Sequence, residues 1–82
     1  MKLAWDKAKR LSNIEKHGLD FADLTLGFFE GAYLSPARFG RRIAIGRLSD
    51  GTIAVIFLHL RTEALSIVSM RTASRKERAL LK

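Results

Sequence analysis

Few side chains in this chain are equipped for chemistry. There is no cysteine, which removes disulfides, thiolate metal ligands and thiol nucleophiles together. The two histidines, His17 and His59, are too few for a three-ligand zinc site and form no His-x-x-x-His pair. No metal and no other cofactor is expected. Two arginines stand out by position, because Arg61 and Arg71 each end an apolar run and burial cannot be the reason for either. One explanation is a solvated strand end, since arginine is seldom fully buried. The other is anion binding: a guanidinium presents a planar fork of donors that matches phosphate oxygens and never loses its charge. His17, of the residue type that exchanges a proton near neutral pH, follows Lys16 in a stretch rich in cations.

The overall charge points the same way. Fifteen Lys and Arg against eight Asp and Glu leave +7 on 82 residues, with a pI near 10.6. So large a field on so small a chain suits a polyanion or an acidic protein partner. The cations gather at Lys2 to Lys16, Arg38 to Arg47 and Arg71 to Lys82, whereas acids collect at Asp20, Asp23 and Glu30. A chain of this length reads as one domain, 1–82, that hides only roughly 60 to 65% of its unfolded surface, so a partner or dimer contact should add stability. No apolar run approaches the roughly 20 residues of a membrane span, and the start lacks a signal-like stretch. A soluble, cytoplasmic protein is expected.

These side chains must be positioned by the stretch from Arg41 to Arg71, which reads as three antiparallel strands. Arg42 to Leu48 alternates, with Ile43 and Ile45 on one face. Ser49-Asp50-Gly51 closes a hairpin, Gly51 being the residue expected at positive φ. Thr52 to Leu60 is apolar and β-branched almost throughout, which calls for a central strand covered on both faces. Arg61-Thr62-Glu63 is the exit to a third strand from Ala64 to Met70. Ala32-Tyr33-Leu34 is a candidate edge strand. Leu3-Ala4-Trp5 reads as an extended lead-in, and Asp6 caps a helix that ends at Gly18. On that helix Ala8, Leu11 and Ile14 make an apolar stripe opposite Lys9, Asn13, Lys16 and His17. A second helix is expected at once from Asp20 to Glu30, its phenylalanines packed in the core. Ser74 and Glu77 stand at capping-box spacing and start a short last helix carrying Arg75, Lys76, Arg78 and Lys82. The class is therefore α+β: two N-terminal helices, a four-stranded, mainly antiparallel sheet and a short C-terminal helix.

The order of motifs resembles one known family. Trp5-Asp6 with Lys9, then Asn13, Lys16-His17-Gly18, Phe21, an Arg-rich entry to an Ile-Gly strand at Arg41 to Gly46, and Val68-Ser69-Met70-Arg71 with Ala73, Arg75 and Glu77 is similar to the BrnT toxins across essentially the whole chain. The resemblance implies a RelE-like fold, metal-independent endoribonuclease activity that inhibits translation, and a cognate antitoxin. That antitoxin would be a ribbon-helix-helix, BrnA-like protein that blocks the toxin and carries the DNA contacts, in a homodimer or a heterotetramer. The chain departs from the family pattern in a shorter loop before Arg41, in Ser66 where arginine is common, and in Leu81 where a tyrosine is often found.

Metal-free RNA cleavage needs the 2′-hydroxyl deprotonated, charge on the phosphoryl group stabilised and the 5′-oxygen protonated as it leaves. On that reading Arg61 and Arg71, at adjacent strand ends, converge on one phosphate and His17 moves the proton. Lys9, Lys16, Arg41, Arg42 and Arg75 track the RNA backbone. His59, grouped by alternation with Val55 and Phe57 and thus a core histidine, and Glu77, which the capping box also explains, are the competing proton-transfer groups. The alternative is a noncatalytic RNA- or antitoxin-binding module of the same fold. DNA binding by this chain alone is disfavoured, because the second helix is acidic outside.

Overall fold

The computed structural model describes residues 1–49, 51–61 and 63–81. Its centre is β4 (Gly51–Leu60), the third strand of a five-stranded sheet in the order β1 (Lys2–Trp5), β5 (Ala64–Thr72), β4, β3 (Arg42–Leu48), β2 (Tyr33–Pro36). The β2–β3, β3–β4 and β4–β5 pairs are antiparallel, as short connections require. The sheet has one strand more than the sequence suggests. Leu3-Ala4-Trp5 is no mere lead-in: it belongs to β1, which pairs parallel with Ala64 to Ile67.

The expected hairpin turn holds in position, with Leu48 opposite Gly51. The left-handed residue is Ser49 (φ 54°), not Gly51; Asp50 lies outside the described residues.

Alternation sends Ile53, Val55 and Phe57 of β4, with Leu65, Ile67 and Met70 of β5, to one face, where Phe21, Leu24, Phe28 and Phe29 cover them. Those phenylalanines come from a broken second helix. A 3-10 turn at Phe21–Asp23 is followed by α2 (Leu26–Glu30) only after Leu24 turns extended and Thr25 caps the new helix, its hydroxyl accepting from Phe28 N–H at 3.3 Å. A threonine with a competing side-chain oxygen favours such a break over continuation. Gly46 is needed beneath α2, because a Cβ there would lie 2.9 Å from the Phe28 ring.

The second face is covered only in part. Ala73 and Leu81, at the two ends of α3 (Arg75–Leu80), pack with Ile43, Ile45 and Ala54, while Ile56 and Leu58 stay half-buried. The capping box at Ser74 and Glu77 is formed as expected; Lys82 is outside the described residues. Among the described residues no helix is long and apolar enough to cross a membrane.

Candidate functional site

β1 ends at Trp5, so the β5 edge beyond Ile67 has no strand beside it. The helix α1 (Lys7–His17) occupies that place. It starts at Asp6, whose carboxylate accepts from Ala8 N–H at 2.9 Å, and stops at left-handed Gly18, whose N–H donates to the Ile14 carbonyl. The face it presents to the sheet is not the apolar stripe. Leu11 is 51% exposed, while Asn13, 5% exposed, is the buried polar residue of the core. Its Oδ1 accepts from Met70 N–H at 3.0 Å and its Nδ2 donates to the Leu19 carbonyl at 3.0 Å. Asn13 thereby supplies β5 with the acceptor that a longer β1 would have offered. A register slip beside it, from Ile56 opposite Ser69 to Phe57 opposite Ile67, leaves Val68 as an extra residue, and such bulges re-aim neighbouring side chains.

Between α1 and this bulged edge lies a groove of about 350 Å³, lined by Ala8, Lys9, Ser12, Asn13, Lys16 and His17 from the helix and Val68 and Ser69 from the strand. Lys9 and Lys16 provide its cations, His17 an imidazole, Ser12 and Ser69 its hydroxyls, and among the described residues no carboxylate lines it. Arg71, two residues beyond Ser69, shares the same sheet face; the two lie opposite Ala54 and Ile56 of β4.

Arg71 is not an open phosphate ligand. Its Nη1 and Nη2 donate to the two carboxylate oxygens of Glu77 at 2.7 and 2.8 Å, and Glu77 Oε1 also accepts from Ser74 N–H at 2.8 Å. The Arg71 hydrogen bond, more than the backbone one, brings the Glu77 carboxyl down from 4.5 to about 2, with partial burial opposing. A carboxylate held that low is a poor base near neutral pH. The Arg71 Nε–H has no hydrogen-bond partner among the described residues, so the guanidinium retains a donor while it ties α3 to β5.

The convergence expected of Arg61 and Arg71 does not occur. Antiparallel pairing sets Arg71 opposite Ala54, whereas Arg61 follows Leu60 at the far end of β4, about 20 Å away along the strand. Two strand ends adjacent in sequence pattern are opposite ends of one hairpin. Arg61 sits exposed in a turn at φ 53°; Thr62 beside it lies outside the described residues. Arg41 and Arg42 open β3 at that same end, with Arg42 opposite Phe57. Arg75 is exposed in the first turn of α3. Of the expected site residues, only Lys9, Lys16 and His17 line the groove.

His59 does share a face with Phe57, but it is exposed rather than part of the core. Leu81 packs over β3, two strands from β5. The sequence reading missed Ser12 and Ser69 and assigned Asn13 no task. An asparagine in the middle of a helix, where it is a poor former, between Lys9 and Lys16 was the signal.

A small basic α+β protein whose sheet-edge groove is lined by lysines and, among the described residues, by no carboxylate has the electrostatics that suit a polyanionic backbone. The family model of the ribonuclease toxin BrnT of type II toxin-antitoxin systems matches residues 5–77, and the chain belongs to that family. The 1.1 Å crystal structure of the Brucella abortus ribonuclease toxin BrnT is similar throughout, with a TM-score of 0.87 and 51% identity over 92% of this chain and 99% of that one. A comparison with curated proteins finds no match. The chain is thus a ribonuclease toxin of a toxin-antitoxin system, with RNA as substrate and an antitoxin as partner.

Proposed function

We propose that the groove between α1 and β5 is where RNA is cut, by metal-independent transesterification. The observation that carries this reading is the lining: two cationic side chains, an imidazole and two hydroxyls around about 350 Å³, with no carboxylate among the described residues. His17 takes the proton from the 2′-hydroxyl, the 2′-oxygen forms its bond to phosphorus, and the bond to the 5′-oxygen breaks, that oxygen taking up a proton from water as it leaves. Lys9 and Lys16 stabilise the charge that builds on the phosphoryl and leaving oxygens, with Ser12 and Ser69 as hydrogen-bond donors. Arg71, positioned by Glu77, contributes through its remaining Nε–H. Arg61, Arg41, Arg42 and Arg75 act at a distance from the cut, on the RNA backbone.

The same reading makes residues 1–82 one RelE-like toxin domain in the cytoplasm, silenced by a ribbon-helix-helix, BrnA-like antitoxin that alone meets DNA. Net charge of +7 supports an acidic antitoxin surface. The reaction is tested by its products. With a single-stranded RNA and excess chelator, cleavage should leave a 2′,3′-cyclic phosphate, and a 2′-deoxy residue at the cut site should block it. A 3′-hydroxyl product, or cleavage of the deoxy substrate, would overturn the mechanism.

A further inference from the structure

Far from the groove, the β2–β3 hairpin projects beyond the sheet on a turn with an unusual occupant. Arg41 N–H donates to the Arg38 carbonyl at 3.1 Å and Ala37 N–H to the Arg41 carbonyl at 2.9 Å, closing the turn around Phe39 and Gly40. Both central residues are left-handed, Phe39 at φ 60°, ψ 40° and Gly40 at φ 72°. This is the pattern of a type I′ turn, whose first central position favours Asn, Asp or Gly. A phenylalanine there is strained, and its ring gains nothing from packing in return: Phe39 is 84% exposed, more than any other large apolar side chain described. Neither local conformation nor the core accounts for the residue.

Its neighbours say what it meets. Arg38 and Arg41, the first and last residues of the turn, have Cα atoms within about 7 Å, and Arg42 follows. Residues 31–49 contain no Asp or Glu. Like charges held this close repel unless an anion lies among them, and a buried protein interface would have to desolvate all three. A bare aromatic ring on a turn that begins and ends with arginine suits a single-stranded nucleic acid, the ring stacking a base while the cations take the flanking phosphates.

We infer that Phe39 is a base-stacking finger that anchors the RNA substrate a few nucleotides from the cut, with Arg38 and Arg41 on the adjoining phosphates. The topology sets its reach. Ser69 of the groove lies level with Ile56 and Ile43 across three strands, and Phe39 is four residues out from Ile43, so roughly 15 to 20 Å separates tip from groove. One strand crossing the partly uncovered sheet face spans both. The inference rests on the ribonuclease assignment but not on which groove residue moves the proton.

The test uses the full chain and a short 2′-O-methylated single-stranded RNA, which binds without being cut, together with cleavable RNA of the same sequence. Phe39→Asn suits the turn and removes the ring, so its melting temperature should equal or exceed the parent's while affinity for the uncut RNA falls about 5- to 100-fold. KM should rise with kcat unchanged, and Phe39→Trp should restore binding. Unchanged RNA affinity in Phe39→Asn, with the parent cutting normally, overturns the finger alone. Loss of antitoxin binding with RNA affinity intact would also overturn it and assign the ring to the protein interface. A parent that neither binds nor cuts RNA defeats the ribonuclease reading and this one together.

Discussion

Removing the carboxamide of Asn13 should unfasten the groove from the sheet. In Asn13→Leu two hydrogen bonds of 3.0 Å disappear. Met70, fully buried, keeps an N–H that neither water nor another described residue can reach. Stranding such a donor costs about 1 to 3 kcal/mol, and the Leu19 carbonyl, nearer to solvent, adds about 0.5 to 1.5. A loss of about 2 to 4 kcal/mol follows, a large share of the roughly 4 to 12 expected for a domain of this size. Thermal melting should fall by about 10 to 25 °C. Urea denaturation supplies the free energy directly, and single-turnover cleavage, measured where the variant is still folded, should slow as Lys9, Lys16 and His17 lose register with Ser69. The side chain makes the only side-chain hydrogen bond from α1 to the β5 edge among the described residues. A loss below about 0.5 kcal/mol would refute the claim that it holds the groove together.

Other consequences can be checked singly. Glu77→Gln removes the carboxylate that pairs with Arg71 and should cost about 1 to 2 kcal/mol, allowing for solvent screening of a partly exposed pair. Because the folded carboxyl lies near 2 and the free one at 4.5, its stabilisation is complete above about 4.5 and is lost as pH falls toward 2; the variant should show a flatter acid limb in denaturation. Gly46→Ala forces a Cβ to within 2.9 Å of the Phe28 ring and should lose about 1 to 3 kcal/mol by overpacking, read by urea midpoint. In a double-mutant cycle, Arg61→Ala and Arg71→Ala should be additive within about 0.5 kcal/mol for cleavage, since they stand about 20 Å apart; strong coupling would restore their shared phosphate.

Much of this arrangement was legible in residue pattern. Alternation and turn residues placed the three central strands, the Ser74–Glu77 spacing announced α3, and Asp6 and Gly18 bounded α1, because each rests on local chemistry. What was hidden depends on distant partners. Leu3 to Trp5 becomes a strand only by pairing with Leu65 to Ile67, some 60 residues away, and no local pattern reveals a parallel partner. The wheel of α1 showed an apolar stripe, yet the helix docks through Asn13 because an unpaired strand edge needs a polar side chain more than it needs leucine. Arg61 and Arg71 looked like neighbours because each ends a run; the direction of pairing puts them at opposite ends. The exposed Phe39 carries no periodic signal, and only its backbone conformation and exposure single it out.

The central claim is that His17, with Lys9 and Lys16, does chemistry in a groove that needs no metal. The most direct measurement is single-turnover cleavage of a single-stranded RNA in excess chelator by the parent and by His17→Ala, each verified as folded by its melting temperature. His17 is exposed at the end of α1, so the variant should melt within a few degrees of the parent. Its rate should fall by about 10²- to 10⁴-fold while the parent's is undiminished by the chelator. A folded His17→Ala protein that cuts at the parental rate, or a parent silenced by chelation, would contradict it.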